Sequence, residues 1–326
     1  MSGISVKNLS KVYPVAVKEP GLKGTLDHFF KRTYKEIKAV QDVSFEIAEG
    51  EVVGFLGANG AGKTTTLKML TGLIHPSTGS VTVGGETPYK RHAKFLKDIT
   101  LVMGQKQQLI WDLPALDSLR INAAVYGISD RTAQHRIGEL SDMLGLSGKL
   151  TQAVRKLSLG ERMKAELLAS LLHEPKVLFL DEPTLGLDVN AQLAVRQFLR
   201  DYNQRFNATI LLTSHYMADI TALCDRVLTI HQGKLIYDGS LDGLVERFSP
   251  KREVTIEFAY AYHRAKLQSY ADVHEMNGVR VSFLVTQEML TKTVSTMLAE
   301  LAIVDLSVGE PPIEEVIGQV FQAGAV

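Results

Sequence analysis

Residues Gly57–Thr65 read Gly-Ala-Asn-Gly-Ala-Gly-Lys-Thr-Thr. Glycines at Gly57, Gly60 and Gly62 let the backbone bend until successive N–H groups point inward at phosphate oxygens. Asn59 and Ala61 fill the loop between them, and Thr65 closes it. Lys63 supplies a full positive charge for β- and γ-phosphates, and the Thr64 hydroxyl is placed to ligate Mg²⁺. Further along, the apolar run Val177–Leu180 ends in Asp181 and Glu182. Asp181 is the candidate to hold Mg²⁺, through water. Glu182, one residue on, points to the opposite side and can polarise a water for in-line attack on a γ-phosphate. Ser158 and Gly160 precede a helical pattern, where a hydroxyl and an N–H could form a second anion site. An ordinary capping box, with Ser158 as N-cap and Glu161 at N3, is the competing reading.

The elements around these residues fit the chemistry. Glu51–Leu56 reads as a buried strand and Thr66–Leu70 as the start of a helix, the context that makes such a loop a phosphate cradle. Continuous apolar runs at 177–180 and 209–214 read as central parallel strands. Helices are predicted over 161–172, 191–206 and 217–224, and a hairpin over 226–238 about Gln232 and Gly233. Residues 3–13 alternate apolar and polar and read as an edge strand with a turn, and 39–47 alternate again. Residues 106–156 read as a mostly helical insertion. Residues 14–38 form a second insertion, in which Leu22, Leu26, Phe29 and Phe30 predict a basic amphipathic helix over 22–35. That helix either lies on its own domain or meets a membrane surface or partner. Beyond 249 the character changes. Strands at 253–258, 279–285 and 304–308, with helices at 287–301 and 312–321, predict a small α+β domain over 250–326.

Composition sets limits. The 326 residues hold 36 Lys plus Arg against 36 Asp plus Glu. A zero net formal charge gives no general attraction to nucleic acid, and no nucleic acid is expected as a partner. Cys224 stands alone and sits in an apolar helical pattern, so it reads as core rather than nucleophile. No cleavable apolar segment opens the chain, and no apolar run is long enough to span a bilayer. A cytoplasmic chain is expected, one that works at a membrane only through another polypeptide.

Taken together, the series resembles the nucleotide-binding subunit of ATP-binding cassette (ABC) transporters, across residues 3–240. Gly57–Thr65 looks like the Walker A loop, Gln105 the Q-loop and Leu157–Glu161 the signature. Val177–Asp181 looks like the Walker B strand, Glu182 the catalytic glutamate, Leu185–Asp188 the D-loop and His215 the switch histidine. The resemblance implies an α/β phosphate-loop ATPase with a mixed sheet over 1–249, a helical subdomain over about 106–156 and the C-terminal domain. It implies ATP and Mg²⁺ as ligands, with His215 on the γ-phosphate and Gln105 joining Mg²⁺ and the attacking water. It also implies that Ser158 and Gly160 of one copy bind the γ-phosphate held by the other copy's Walker A loop. An aromatic near the N-terminus should stack on adenine. Tyr13 fits, and Tyr34 is a rival.

The chain departs from the family pattern. Leu159 and Glu161 replace a glycine and the glutamine of the usual Leu-Ser-Gly-Gly-Gln, and Gly186 stands where alanine is usual. The stretch 157–163, residues 104–114 and the terminal Pro-Pro-Ile-Glu-Glu-Val-Ile resemble the ABC-2 exporter branch, which includes drug- and viologen-exporter ATPases. That implies a separate membrane permease, with the chain held peripherally on the inner face of the cell membrane. Residues 106–124 are the expected docking surface, with Trp111, Leu113 and Pro114 in an exposed loop unless Trp111 packs inside the insertion. A soluble ABC ATPase acting on ribosomes or DNA is the alternative.

Overall fold

The computed structural model describes residues 2–17, 33–103, 108–214, 216–248, 251–309 and 318. The chain divides into two units, residues 1–239 and 240–326.

The first unit begins with β1 (Ser2–Val17), β2 (Thr33–Ala48) and β3 (Val52–Leu56), then α1 (Lys63–Leu70) and β4 (Thr78–Val83). Next come α2 (Ala93–Asp98), β5 (Ile99–Met103), α3 (Ala115–Tyr126), α4 (Asp130–Met143) and α5 (Leu159–Leu171). It ends with β6 (Val177–Asp181), α6 (Val189–Phe206), β7 (Thr209–Thr213), α7 (Met217–Leu223), β8 (Arg226–His231) and β9 (Lys234–Ser240). β1, expected at an edge, lies between β2 and β4 in an antiparallel sheet and pairs on both sides. The larger sheet has the order β5-β6-β7-β3-β8-β9, and its members from β5 to β8 run parallel.

The near-continuous apolar β3, β6 and β7 need cover on both faces, as central parallel strands do. Ile4, Val43 and Phe45 of the small sheet, Leu67 and Leu70 of α1, and Phe55, Phe179 and Leu211 of the large sheet join one buried cluster. In an open parallel sheet, ligands bind beyond the carboxyl ends of the strands. The neighbours β6, β7 and β3 therefore deliver Asp181, Ser214 and the glycine loop to one edge.

The 14–38 insertion departs from expectation. Residues 33–35, expected to end a helix, are strand, and the pairs Pro14↔Glu36 and Ala16↔Tyr34 extend the β1–β2 hairpin. Residues 33–37 each find a partner across the hairpin in residues 13–17, and that cross-strand pairing favours the extended form over the helix spacing. The rest of the expected helix lies outside the described residues, as does most of the one expected at 312–321.

The second unit begins with α8 (Leu241–Phe248). β10 (Lys251–Phe258), α9 (Arg264–Gln268), β11 (Asp272–Asn277), β12 (Arg280–Thr286), α10 (Gln287–Glu300) and β13 (Ile303–Gly309) follow. The sheet order is β11-β12-β10-β13, with every pair antiparallel. This β-α-β-β-α-β sequence with that order is the ferredoxin-like arrangement. Val254, Ile256, Phe258, Val281, Phe283 and Met297 form its core. Among the described residues, no helix is long and apolar enough to cross a membrane.

Candidate functional site

The turn after β3 closes on its own lysine. Lys63 Nζ donates to Gly57 O at 2.5 Å and to Ala58 O at 3.2 Å. Lys63 is buried, and burial pulls its ammonium below the ordinary lysine value, while Glu182 and Asp181 pull it back up. The loop wall is backbone by necessity. A Cβ at Gly57 would sit 2.6 Å from Ile230 O, and one at Gly62 would sit 2.6 Å from Ala39 O. Gly62 also has φ +115, a conformation L side chains rarely adopt. Ala39 reaches the loop because it is the extra residue of a bulge: Lys11 pairs with Val40 and Val12 with Lys38. Ala39, residues 58–60 and 62–65, and Glu182 line one cleft.

Thr64 and Asp181, the expected cation ligands, are brought together. Thr64 Oγ1 donates to Asp181 Oδ2 at 3.1 Å, and Thr213 Oγ1 donates to Asp181 Oδ1 at 2.7 Å. Asp181 and Thr64 thus meet from strand end and helix start, a donor set suited to a hard cation held largely by phosphate and water. Glu182 has φ +56, and its N–H donates to Thr213 O at 3.1 Å. A non-glycine residue in this region is strained, and the turn sets Glu182 on the cleft wall while Asp181 bonds Thr64.

Ser158 is the N-cap of α5 in a complete capping box. Its Oγ accepts from Glu161 N at 3.2 Å, and its N–H donates to Glu161 Oε2 at 2.9 Å. Glu161 also pairs with Lys149 at 3.1 Å, and the Ser158 N–H and Lys149 together hold its carboxyl below the usual range. The hydroxyl hydrogen of Ser158 takes no part in the box, so it is left to donate elsewhere. Ser158, Gly160 and Tyr13 are absent from the described wall of the Lys63 cleft.

Tyr13 pairs with Ile37 across the hairpin, and Lys11 Nζ stands 5.1 Å from its ring centroid. Tyr34 pairs with Ala16, an odd number of positions away, so the two tyrosines face opposite sides of the hairpin. Gln105 and His215 lie outside the described residues. Trp111 is exposed, with the Arg162 guanidinium 5.1 Å from its ring centroid. Cys224 is buried and its thiol is pushed well above the ordinary range by that burial, in keeping with a core residue.

Two groups escaped the reading of the sequence. Thr213 orients Asp181, and its signal was only its place before Ser214 and His215. Asp219 is fully buried and accepts from Ser214 Oγ at 2.6 Å, from Arg196 Nε at 2.6 Å and from Thr184 Oγ1. Its signal was a carboxylate within an otherwise apolar helical face.

The family described as ABC transporter matches residues 40–185. A second, the EvrA-like ABC transporter C-terminal domain, matches residues 250–309. The ABC transporter ATP-binding protein NatA of Bacillus subtilis is 39% identical over 217 residues, spanning 67% of this chain and 88% of that protein. The linearmycin resistance ATP-binding protein LnrL of the same species is 30% identical over 294 residues, 87% of this chain and 94% of that one. The bacitracin transport ATP-binding protein BcrA of Bacillus licheniformis is 36% identical over 216 residues, 66% of this chain and 69% of that protein. Among solved structures, an ATP-binding subunit of an ABC transporter superposes with TM-score 0.61 at 26% identity, covering 75% of this chain and 92% of that one. The ADP- and Pi-bound dimer of the cassette MJ0796 shares the fold, with TM-score 0.59 at 22% identity over 73% of this chain and 98% of that one. A strand-borne glycine loop and a Thr64–Asp181 pair thus coincide with similarity to these relatives along most of the chain, and the chain belongs to the ABC transporter family as an ATP-binding, ATP-hydrolysing subunit.

Proposed function

We propose that this subunit powers an ABC-2 type exporter whose permease is a separate polypeptide, and that two copies share two ATP molecules between them. The observation that carries the shared site is the placement of Ser158. Its hydroxyl hydrogen is left over by the capping box, yet Ser158 is absent from the described wall of its own chain's Lys63 cleft. A second copy, related by two-fold symmetry, supplies a γ-phosphate for it to bind. Export is supported by relatives whose names speak of bacitracin transport, linearmycin resistance and Nod factor export.

Backbone N–H groups of residues 57–65 and the Lys63 ammonium bind the β- and γ-phosphates. Tyr13, on the hairpin that leads to Ala39, is the proposed adenine platform. Thr64 and Asp181 would hold Mg²⁺, with Gln105, and the ion would offset negative charge on the phosphates. Glu182 orients the attacking water and takes its proton as the new P–O bond forms; the bond to the β-phosphate oxygen breaks and ADP departs. His215 contacts the γ-phosphate. Loss of that phosphate removes the contact to Ser158 and Gly160, and the copies separate. Residues 106–124, which carry exposed Ile110 and Trp111, are the proposed docking surface for the permease. Such docking would hold the chain at the inner face of the membrane.

Glu182→Gln tests this reading. The amide keeps the shape but cannot take the proton. The variant should bind ATP, hydrolyse almost none and elute as a dimer only when ATP is present. A monomer at saturating ATP would overturn the shared site.

A further inference from the structure

Residues 108–113 follow Gln105 in sequence, and their bonds run to the helical part of the unit. Gln108 N donates to Glu166 Oε2 at 2.7 Å and Leu109 N to Glu166 Oε1 at 3.3 Å, one carboxylate oxygen for each of two consecutive amides. Ile110 N donates to Ser118 Oγ of α3 at 3.1 Å. Arg155 N donates to Trp111 O and Val154 N to Leu113 O, each at 3.0 Å. Finally, the Arg162 guanidinium lies over the Trp111 ring.

Arg162 and Glu166 are four residues apart on α5, so they share one face, just after the Ser158–Gly160 turn. Glu166 is only 5% exposed. A buried carboxylate is costly unless its oxygens are bonded. Burial raises its carboxyl above the usual range, and the two backbone N–H bonds and nearby Arg162 counter that rise. A group kept at such cost on this face holds the segment in one position.

We infer that Glu166 and Arg162 clamp residues 108–113 to the signature helix, so that the segment bearing Trp111 moves with α5 when the signature closes on nucleotide. Glu166 is a positioning residue: its two oxygens hold backbone amides, and it acts through the chain that continues from Gln105. The signature and the proposed docking surface are then one mechanical piece within each copy. The inference rests on the shared-site reading above.

Trp111 is the one tryptophan of the chain, so tryptophan emission reports on it alone. The experiment measures acrylamide quenching of that emission in full-length Glu182→Gln, with and without ATP, beside the dimer fraction by light scattering. ATP should produce dimer and a change in quenching together. Adding Glu166→Gln should leave the ATP-induced dimer and remove the quenching change, because the amide places a donor against one of the two N–H donors. Arg162→Met should do the same by releasing the ring, and it decides alone if Glu166→Gln does not fold. A dimer with unchanged Trp111 quenching, or an identical change in both clamp variants, overturns the clamp while leaving the shared site standing. No dimer at all overturns the shared site first, and the clamp with it.

Discussion

Arg196 Nε donates to Asp219 Oδ1 at 2.6 Å, in an ion pair whose acid is fully buried and whose base is 12% exposed. The same carboxylate takes the hydroxyls of Thr184, two residues after Glu182, and of Ser214, one residue before His215. One buried acid thus fixes the exits of β6 and β7, from which the proposed catalytic groups project. Removing one partner of such a pair costs more than the pair contributes. Asp219→Ala orphans three donors and should destabilise the protein by about 3–5 kcal/mol. Arg196→Met leaves the fully buried Asp219 carboxylate with two hydroxyls but no counter-charge, and should destabilise by a comparable amount. Urea midpoints read both effects. Equal midpoints for wild type and Asp219→Ala would show that the network carries no weight.

Glu161 gives a pH dependence with a defined sign. Its folded carboxyl lies below its unfolded value because the Ser158 N–H and Lys149 favour the charged form. The stabilisation is therefore present above the ordinary glutamate value of about 4.3 and is lost as pH falls through the lower folded value. Wild type should melt above Glu161→Gln at pH 7, and the gap should close in the acid range. A gap that persists or widens on acidification would contradict the cap's ionic character.

The glycines of the phosphate loop are not equivalent. Gly60 has φ +79 with open space where a Cβ would go, whereas Gly62 combines φ +115 with a carbonyl 2.6 Å from that position. Gly60→Ala should bring only backbone strain, of order 1 kcal/mol, and weaken ATP binding modestly. Gly62→Ala adds a collision with Ala39 O and should abolish binding, since either the loop or the β2 bulge must move. Calorimetric titration with ATP checks the order of the two. Equal affinities would remove the bulge from the argument.

That bulge marks the limit of what the sequence tells. The loop, Asp181, Glu182 and the central strands are legible because strand, glycine loop and helix form a local pattern with one chemical reading. Ala39 is an alanine in an alternating strand, and its approach to Gly62 depends on cross-strand register, which has no local signal. Tyr13 and Tyr34 could not be separated by type or spacing; pairing puts them on opposite faces. The strand β11 was missed because Asp272–Asn277 carries only Val273 as a buried apolar residue, so its alternation is weak. The two positions expected to depart from the family pattern also meet: a Cβ at Gly186 would lie 3.7 Å from Leu159 Cδ2, so a bulky side chain sits beside a glycine.

The last prediction separates a shared site from a self-contained one. Lys63→Ala removes the charge proposed to bind the β- and γ-phosphates, in ground and transition state alike, and should lose ATP affinity as well as turnover. Ser158→Arg keeps its own phosphate loop but blocks the signature surface it offers to a partner. In either variant alone, any dimer that formed would hold one defect in each composite site. When the two are mixed, a heterodimer places both defects in one site. The other site then joins the intact loop of the Ser158→Arg chain to the intact signature of the Lys63→Ala chain. ATPase activity should reappear on mixing, with a maximum near equal proportions, provided one site turns over alone. Ser158→Arg with Ser158→Arg, at the same total concentration, sets the baseline. In wild type without permease, turnover should rise more steeply than linearly with protein concentration across the monomer–dimer range. Strictly linear turnover, with no recovery on mixing and a monomeric ATP-bound Glu182→Gln, would show that each chain carries its whole site.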